Sequence, residues 1–270
     1  MNEGEELDAD MPVLFIGHGS PMNVISDNKF TQNLKTLGKS VPKPKAILVI
    51  SAHWLSFGTK VLCSKNPKMI YDFYGFPPAL YTIKYPSPGI PEVATLITEQ
   101  LNSYNVLCDH DWGYDHASWT ILTHMFPKAD IPVIEMSLDY GFNRWDLKPI
   151  EYHFKLAKGL AFLRKQGILI IGSGNIVHNL GLIDYNVDGP VMDWAQQLDE
   201  TIKTHILNQE YHDLLDIKKM GQLAKLGIPT WDHYLPFIYT LALRKKDESV
   251  KFVHEGFQHG SVSMRCIQIG

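Results

Sequence analysis

The sequence predicts an α/β domain on a mostly parallel sheet. Four short apolar runs lie in the first two thirds of the chain, and helix-like stretches separate them. A change to extended character near the C-terminus predicts, in addition, an antiparallel hairpin at the sheet edge.

The apolar runs are Val13–Ile16, Ala46–Ile50, Ile131–Ile134 and Ile168–Ile171. Continuous runs of Val, Ile and Leu suit strands buried on both faces, with helices above and below. Pro91 to Ser103 reads as a helix, with Pro at a first-turn position, Glu92 beside it, and Val93, Leu96, Ile97 and Leu101 on one face. Pro149 to Lys165 has the same spacing, and Pro190 to Leu207 and Leu235 to Leu243 are further helix candidates. Phe252–Phe257 and Ser261–Ile269 read as two extended segments around a turn at Gln258-His259-Gly260.

The chain of 270 residues carries no internal repeat or low-complexity linker. The reading is a flexible acidic tail over 1–10 and one domain over 11–270. Formal net charge is -4 and no dense Lys/Arg run occurs, so no nucleic-acid partner is expected. No apolar run reaches the roughly 18 residues of a membrane span. Three cysteines without a C-x-x-C pair argue against a disulfide framework and for a reducing compartment, the cytoplasm.

Chemistry gathers where the strands end. Val13–Ile16 runs into Gly17-His18-Gly19-Ser20-Pro21, Ala46–Ile50 into Ser51-Ala52-His53-Trp54, and Ile168–Ile171 into Gly172-Ser173-Gly174-Asn175 and then His178. Ligands of parallel α/β sheets bind beyond the carboxyl ends of the strands. Three histidines at three such ends are therefore candidates to converge. Neutral imidazoles suit Zn, Fe, Ni or Cu before Mg or Ca. A metal-bound ring needs its other nitrogen hydrogen-bonded, and Ser20, Ser51 and Asn175 are the nearby candidates. A lone His after a strand is more often an ordinary loop residue, and no H-E-x-x-H spacing fixes the set. His116 follows Asp115 at the start of a predicted helix. Glu135 reads as a hydrogen-bonded wall residue. Tyr71-Asp72-Phe73-Tyr74-Gly75-Phe76-Pro77-Pro78 reads either as a packed surface loop or as a wall for a flat substrate.

Five ordered motifs together resemble the class III extradiol ring-cleavage dioxygenases, in their 4,5-DOPA dioxygenase-like branch. They are Gly17–Pro21, Ser51–Trp54, Tyr71–Pro77, Gly172–Leu180 and Asp232-His233-Tyr234-Leu235-Pro236. The resemblance implies a three-layer α/β/α fold. It implies a divalent metal on His18, His53 and His233, with His178 as fourth ligand or as catalytic acid/base. It places His116 near the substrate, and it implies Fe(II) for activity, with Zn(II) also a plausible bound metal. Tyr71, Phe73, Tyr74, Trp119 and His259 are the expected substrate contacts. The implied reaction takes a small aromatic diol and O2 to a ring-opened semialdehyde, in a monomer or small homo-oligomer. The pattern departs at Ile228 and Trp231, where the family commonly has His and Pro. It departs again at Ala117, where Gly is usual, and at His259, where an aromatic is usual. These changes put DOPA itself in doubt as substrate. A zinc hydrolase and a metal-binding relative without turnover are the competing readings.

Overall fold

Residues 10–140 and 150–270 are described in the structure, a computed structural model. The first half contains β1 (Val13–Gly17), α1 (Lys29–Ser40), β2 (Ala46–Ser56), β3 (Lys60–Leu62), β4 (Lys68–Met69), α2 (Pro91–Gln100), β5 (Leu107–Asp109), β6 (Gly113–Tyr114), α3 (His116–Met125) and β7 (Val133–Asp139). The second contains α4 (Ile150–Lys158), α5 (Phe162–Lys165), β8 (Ile168–Gly174), α6 (Asp193–Asn208), α7 (Tyr211–Leu215), α8 (Gly221–Gly227) and α9 (Leu235–Ala242). The chain closes with β9 (Val250–His254), β10 (Phe257–Gln258), β11 (Val262–Ser263) and β12 (Cys266–Ile269).

Eight strands form the main sheet in the order β5-β3-β7-β2-β8-β1-β12-β9. Its centre, β7-β2-β8-β1, is parallel. β3 runs antiparallel to β7 on one side, and β12 runs antiparallel to β1 and β9 on the other. The predicted parallel core and antiparallel C-terminal edge are both present. Each predicted apolar run lies in or overlaps a central strand. β2 extends past its run to Ser56, so His53 sits within the strand rather than after it.

Alternation along the strands explains the layers. Val13, Phe15, Leu48, Ile50, Ile168 and Ile170 enter one core with α2, α4, α6 and α9. Leu14, Ile16, Ile47, Val49, Leu169 and Ile171 enter a second core with α1 and α3. Successive side chains of a strand point to opposite faces, so strands apolar at every position need helices on both. The α/β/α sandwich follows.

Local signals fix the helix ends. Asn28 and Thr31 form a reciprocal capping box at the start of α1. Pro91 opens α2, as expected. The helix predicted from Pro149 begins outside the described residues. From Ile150 it runs as α4 and is interrupted before α5, where Gly159 and Leu160 bond three residues back rather than four. Leu101 packs so close to Gly159 that an added Cβ would lie 2.4 Å from its Cδ2. Of the predicted tail, 1–9 lie outside the described residues, while Asp10 is paired with Lys245. Among the described residues no helix is long and apolar enough to cross a membrane.

The cysteine reading needs correction. Cys63 and Cys108 form a disulfide, with Cα atoms 5.5 Å apart, and Cys266 is free and buried. β3 and β5 pair in parallel with Val61 opposite Cys108, which brings Cys63 beside the neighbouring strand. A count of three cysteines could not show that pairing, and the argument for a reducing compartment goes with it.

Candidate active site at the strand ends

Four elements deliver the histidines. His18 follows β1, and its backbone N–H donates to Gly174 O at the end of β8. His53 lies in β2 and His116 opens α3, where the Asp115 side chain caps the helix by accepting from Ala117 N–H. His233 comes two residues before α9. Its approach depends on the Gly172-Ser173-Gly174 strand end. A Cβ at Gly172 would lie 2.2 Å from Pro236 O, and one at Gly174 would lie 2.2 Å from His233 O. Glycine there lets the start of α9 rest on the strand. Asn175 N–H then donates to His233 O at 2.9 Å.

The rings converge. Donor atoms of His18, His53 and His116 lie within 4.8 Å of one another. The His233 ring centroid is 5.4 Å from that of His18 and 5.0 Å from that of His53. His178 stacks on His233 at 3.6 Å with an interplanar angle of 6°.

Each inner ring is anchored through Nδ1. His18 Nδ1 meets Ser173 Oγ at 3.1 Å. Ser173 Oγ already donates to Ala117 O at 2.6 Å, so the His18 nitrogen is the donor. His53 Nδ1 and His116 Nδ1 both meet Asp72 Oδ2, at 3.1 and 2.8 Å. His233 Nδ1 meets Asp232 Oδ2 at 2.7 Å. Ionised carboxylates only accept, so these Nδ1 atoms carry the hydrogens. His18 and His53 then both turn Nε2 inward, and these two atoms are 3.2 Å apart. At that distance they need a cation between them, either a proton carried by His53 or a metal ion. The donor set therefore fits a nitrogen-preferring divalent metal.

Burial favours the neutral form of four of the five rings. Burial holds His18 and His178 well below the ordinary histidine range, and the neighbouring histidines add to it. His116 is pushed down to about 4, by burial first and then by His53. His233 is lowered by burial against the pull of Asp232. At His53 burial again opposes charge, but the Asp72 hydrogen bond and nearby carboxylates raise it overall. The Asp72 side chain is largely shielded from solvent, yet His116 and His53 hold it far below the carboxylate range.

A buried polar layer lies behind these rings. Ser51 Oγ donates to Asp115 at 2.6 Å. Glu135 accepts from Ser118 Oγ at 2.6 Å and from Trp112 Nε1 at 2.9 Å. Burial raises both carboxyls, most strongly Asp115, which is next to Glu135. Glu135 is thus hydrogen-bonded, as expected, but it lies behind the rings rather than in the cavity wall.

The histidines open into a cavity of about 1240 Å³. His18, His53, His116, His178 and His233 line it together with Phe73, Phe76 and His259. Tyr71, Tyr74 and Trp119 do not. Trp119 is buried, donates to Ile70 O, and packs with Tyr71 behind Phe73. Tyr74 is 92% exposed. His259 sits in the left-handed region at φ 55 and clamps the loop before α6, its Nδ1 meeting Asp184 O at 3.0 Å. Of the departing positions, only His259 reaches the cavity; Ile228 and Ala117 are buried in the interior, and Trp231 is half-buried against the core.

Sequence reasoning missed the ring anchors. Asp72, Asp232 and Ser173 hold the rings, whereas Ser20 caps the turn after β1, Ser51 serves Asp115, and Asn175 donates to Ser263 O. Only Asp232 carried a sequence signal, its adjacency to His233.

Residues 12–265 match the family described as the catalytic LigB subunit of aromatic ring-opening dioxygenase. The chain is 41% identical to a 4,5-DOPA dioxygenase extradiol of Escherichia coli (strain K12), over 96% of this chain and 95% of that protein. It is 34% identical to a 4,5-DOPA dioxygenase extradiol of Beta vulgaris, over 92% of each. Its fold matches the crystal structure of an uncharacterized Escherichia coli K12 protein with a TM-score of 0.83 and 38% identity, over 96% of this chain and 100% of that one. The chain belongs to the LigB family and is an extradiol aromatic ring-opening dioxygenase.

Proposed function

We propose that the chain cleaves a catechol-type diol with O2, next to rather than between the hydroxyls, giving a ring-opened semialdehyde. The convergence of the His18, His53 and His233 rings at one end of a cavity, with the first two Nε2 atoms 3.2 Å apart, carries the metal assignment. His18, His53 and His233 would hold the ion, and Fe(II) is the metal proposed for turnover. Bound there, iron would supply open positions for the diol and O2, and the accessible second oxidation state that zinc lacks.

The chain's own groups do the rest. Phe73 and Phe76 form an edge-to-face pair at 5.3 Å and offer an aromatic wall for a flat ring. His178 is read as the acid/base rather than a fourth ligand. A ring's lone pair lies in its own plane, and the His178 plane is parallel to that of His233 and offset from it. Both rings therefore do not aim at one ion. A neutral His178 lining the cavity is suited to take a phenolic proton and return it later. His116, with Nδ1 committed to Asp72, is left with Nε2 as a second acceptor.

The test is anaerobic reconstitution with Fe(II), then aeration with a panel of catechols that carry neutral, acidic and amino-acid side chains. Oxygen uptake with a yellow product from at least one is expected, and zinc-loaded protein should give neither. Iron-loaded protein that consumes no oxygen with any member would refute the reading.

A further inference from the structure

Asp72 comes from a loop without regular structure between β4 and the turn at Pro78, far in sequence from every ring it holds. Its Oδ1 accepts His116 N–H at 2.9 Å, and its Oδ2 accepts from both imidazoles. The other two anchors each serve one ring. Ser173 serves His18 from the adjoining strand, and Asp232 serves its neighbour His233. The next residue after Asp72 is Phe73, whose ring meets His116 edge-on at 5.7 Å and lines the cavity. One short loop thus presents a cavity wall and fixes two rings.

We propose that Asp72 is a positioning residue that sets a metal ligand and a proton acceptor together. A shared Oδ2 holds His53 and His116 in the same Nδ1–H form, so both turn Nε2 inward. The two rings, 4.0 Å apart by centroid, are thereby oriented as a pair. Ligand geometry at His53 and acceptor geometry at His116 cannot change independently while the carboxylate is in place. A displaced Phe73 loop would move both. This inference rests on the metal reading above, but its test does not require turnover.

The first measurement uses metal-free wild-type protein at alkaline pH, where both rings are neutral. Long-range nitrogen–proton NMR should show His53 and His116 each protonated on Nδ1. Either ring carrying its proton on Nε2 overturns the proposal, and this arm needs no variant to fold. The second measures zinc affinity by chelator competition in Asp72→Asn. The amide keeps the shape but is neutral and offers one acceptor oxygen in place of two, so either the rings keep it and the His116 backbone N–H faces an NH2, or that N–H keeps it and both rings lose their anchor. Zinc affinity should fall about 10- to 100-fold, the usual cost of losing such a partner. Wild-type affinity with both tautomers unchanged would overturn the proposal. Wild-type protein that binds zinc tightly yet opens no catechol when reconstituted with Fe(II) would sink the substrate reading while leaving this one standing.

Discussion

β7 shows two different interiors. Ile134, Met136 and Leu138 face the layer of α2, α4, α6 and α9, within one apolar cluster. The intervening Glu135, Ser137 and Asp139 face the other way and are buried too. There Glu135 meets Trp112 and Ser118, while Ser137 pairs with Ser56. The first face is held by burial of apolar surface, which is not directional. The second, on the side of α1 and α3, relies on hydrogen bonds that fix orientation. The histidines draw on both: His233 arrives with α9 on the apolar side, and His116 with α3 on the polar side. On β7, then, one face supplies apolar burial and the other aim, while the α1 and α3 side keeps an apolar core of its own on the neighbouring strands.

The largest expected effect tests the point where the layers meet. His18→Ala should abolish metal binding and ring opening, because His18 sits between the groups contributed by both layers. Chelating the metal from wild-type protein should lower thermal stability, by about 3 kcal/mol for metal present at a hundred times its dissociation constant. Isothermal titration and thermal melts check both, and an unchanged melting curve would mean that the ion does not brace the two layers. Next comes the apolar face. Leu48→Ala should cost about 2–5 kcal/mol in chemical denaturation, with zinc affinity of the folded fraction unaltered. A parallel loss of affinity would break the division between the faces.

The smallest effect lies at the rim of the α1 side. His254 packs on Phe30 and meets Asn33 Nδ2 at 3.0 Å. Burial, with Lys29 nearby, pushes it down to about 4. A histidine lowered on folding binds fewer protons in the folded chain than in the unfolded one. Its contribution is therefore complete above the unfolded value near 6.5 and is lost as pH falls toward 4. His254→Gln should flatten the stability profile across that window by at most about 2 kcal/mol, allowing for solvent near the ring. An identical profile in both proteins would show that the ring does not sense folding.

What could be read in the sequence follows from the range of the interactions. The parallel core was legible because Val, Ile and Leu runs record burial on both faces. His18, His53 and His178 were legible because a strand end fixes position by topology alone. His233 needed the family resemblance, since it precedes a helix, and only the packing on Gly172 and Gly174 brings it in. Asp72 was quoted as part of an aromatic motif but not singled out. Its partners are 19 and 44 residues away, and hydrogen bonds over such separations leave no periodic trace. The disulfide was misread for the same reason, because it depends on which strands become neighbours.

That disulfide has a consequence for the segment that carries Asp72 and Phe73. Cys63 and Cys108 are separated by 45 residues. The intervening stretch, with the aromatic wall and α2, is a closed covalent ring hung from the sheet's edge. A ring of this size restricts the unfolded chain by about 4 kcal/mol in the chain-entropy account. With the bridge formed, this irregular part of the cavity is tied at both ends. Its freedom is limited by topology where secondary structure does little to limit it.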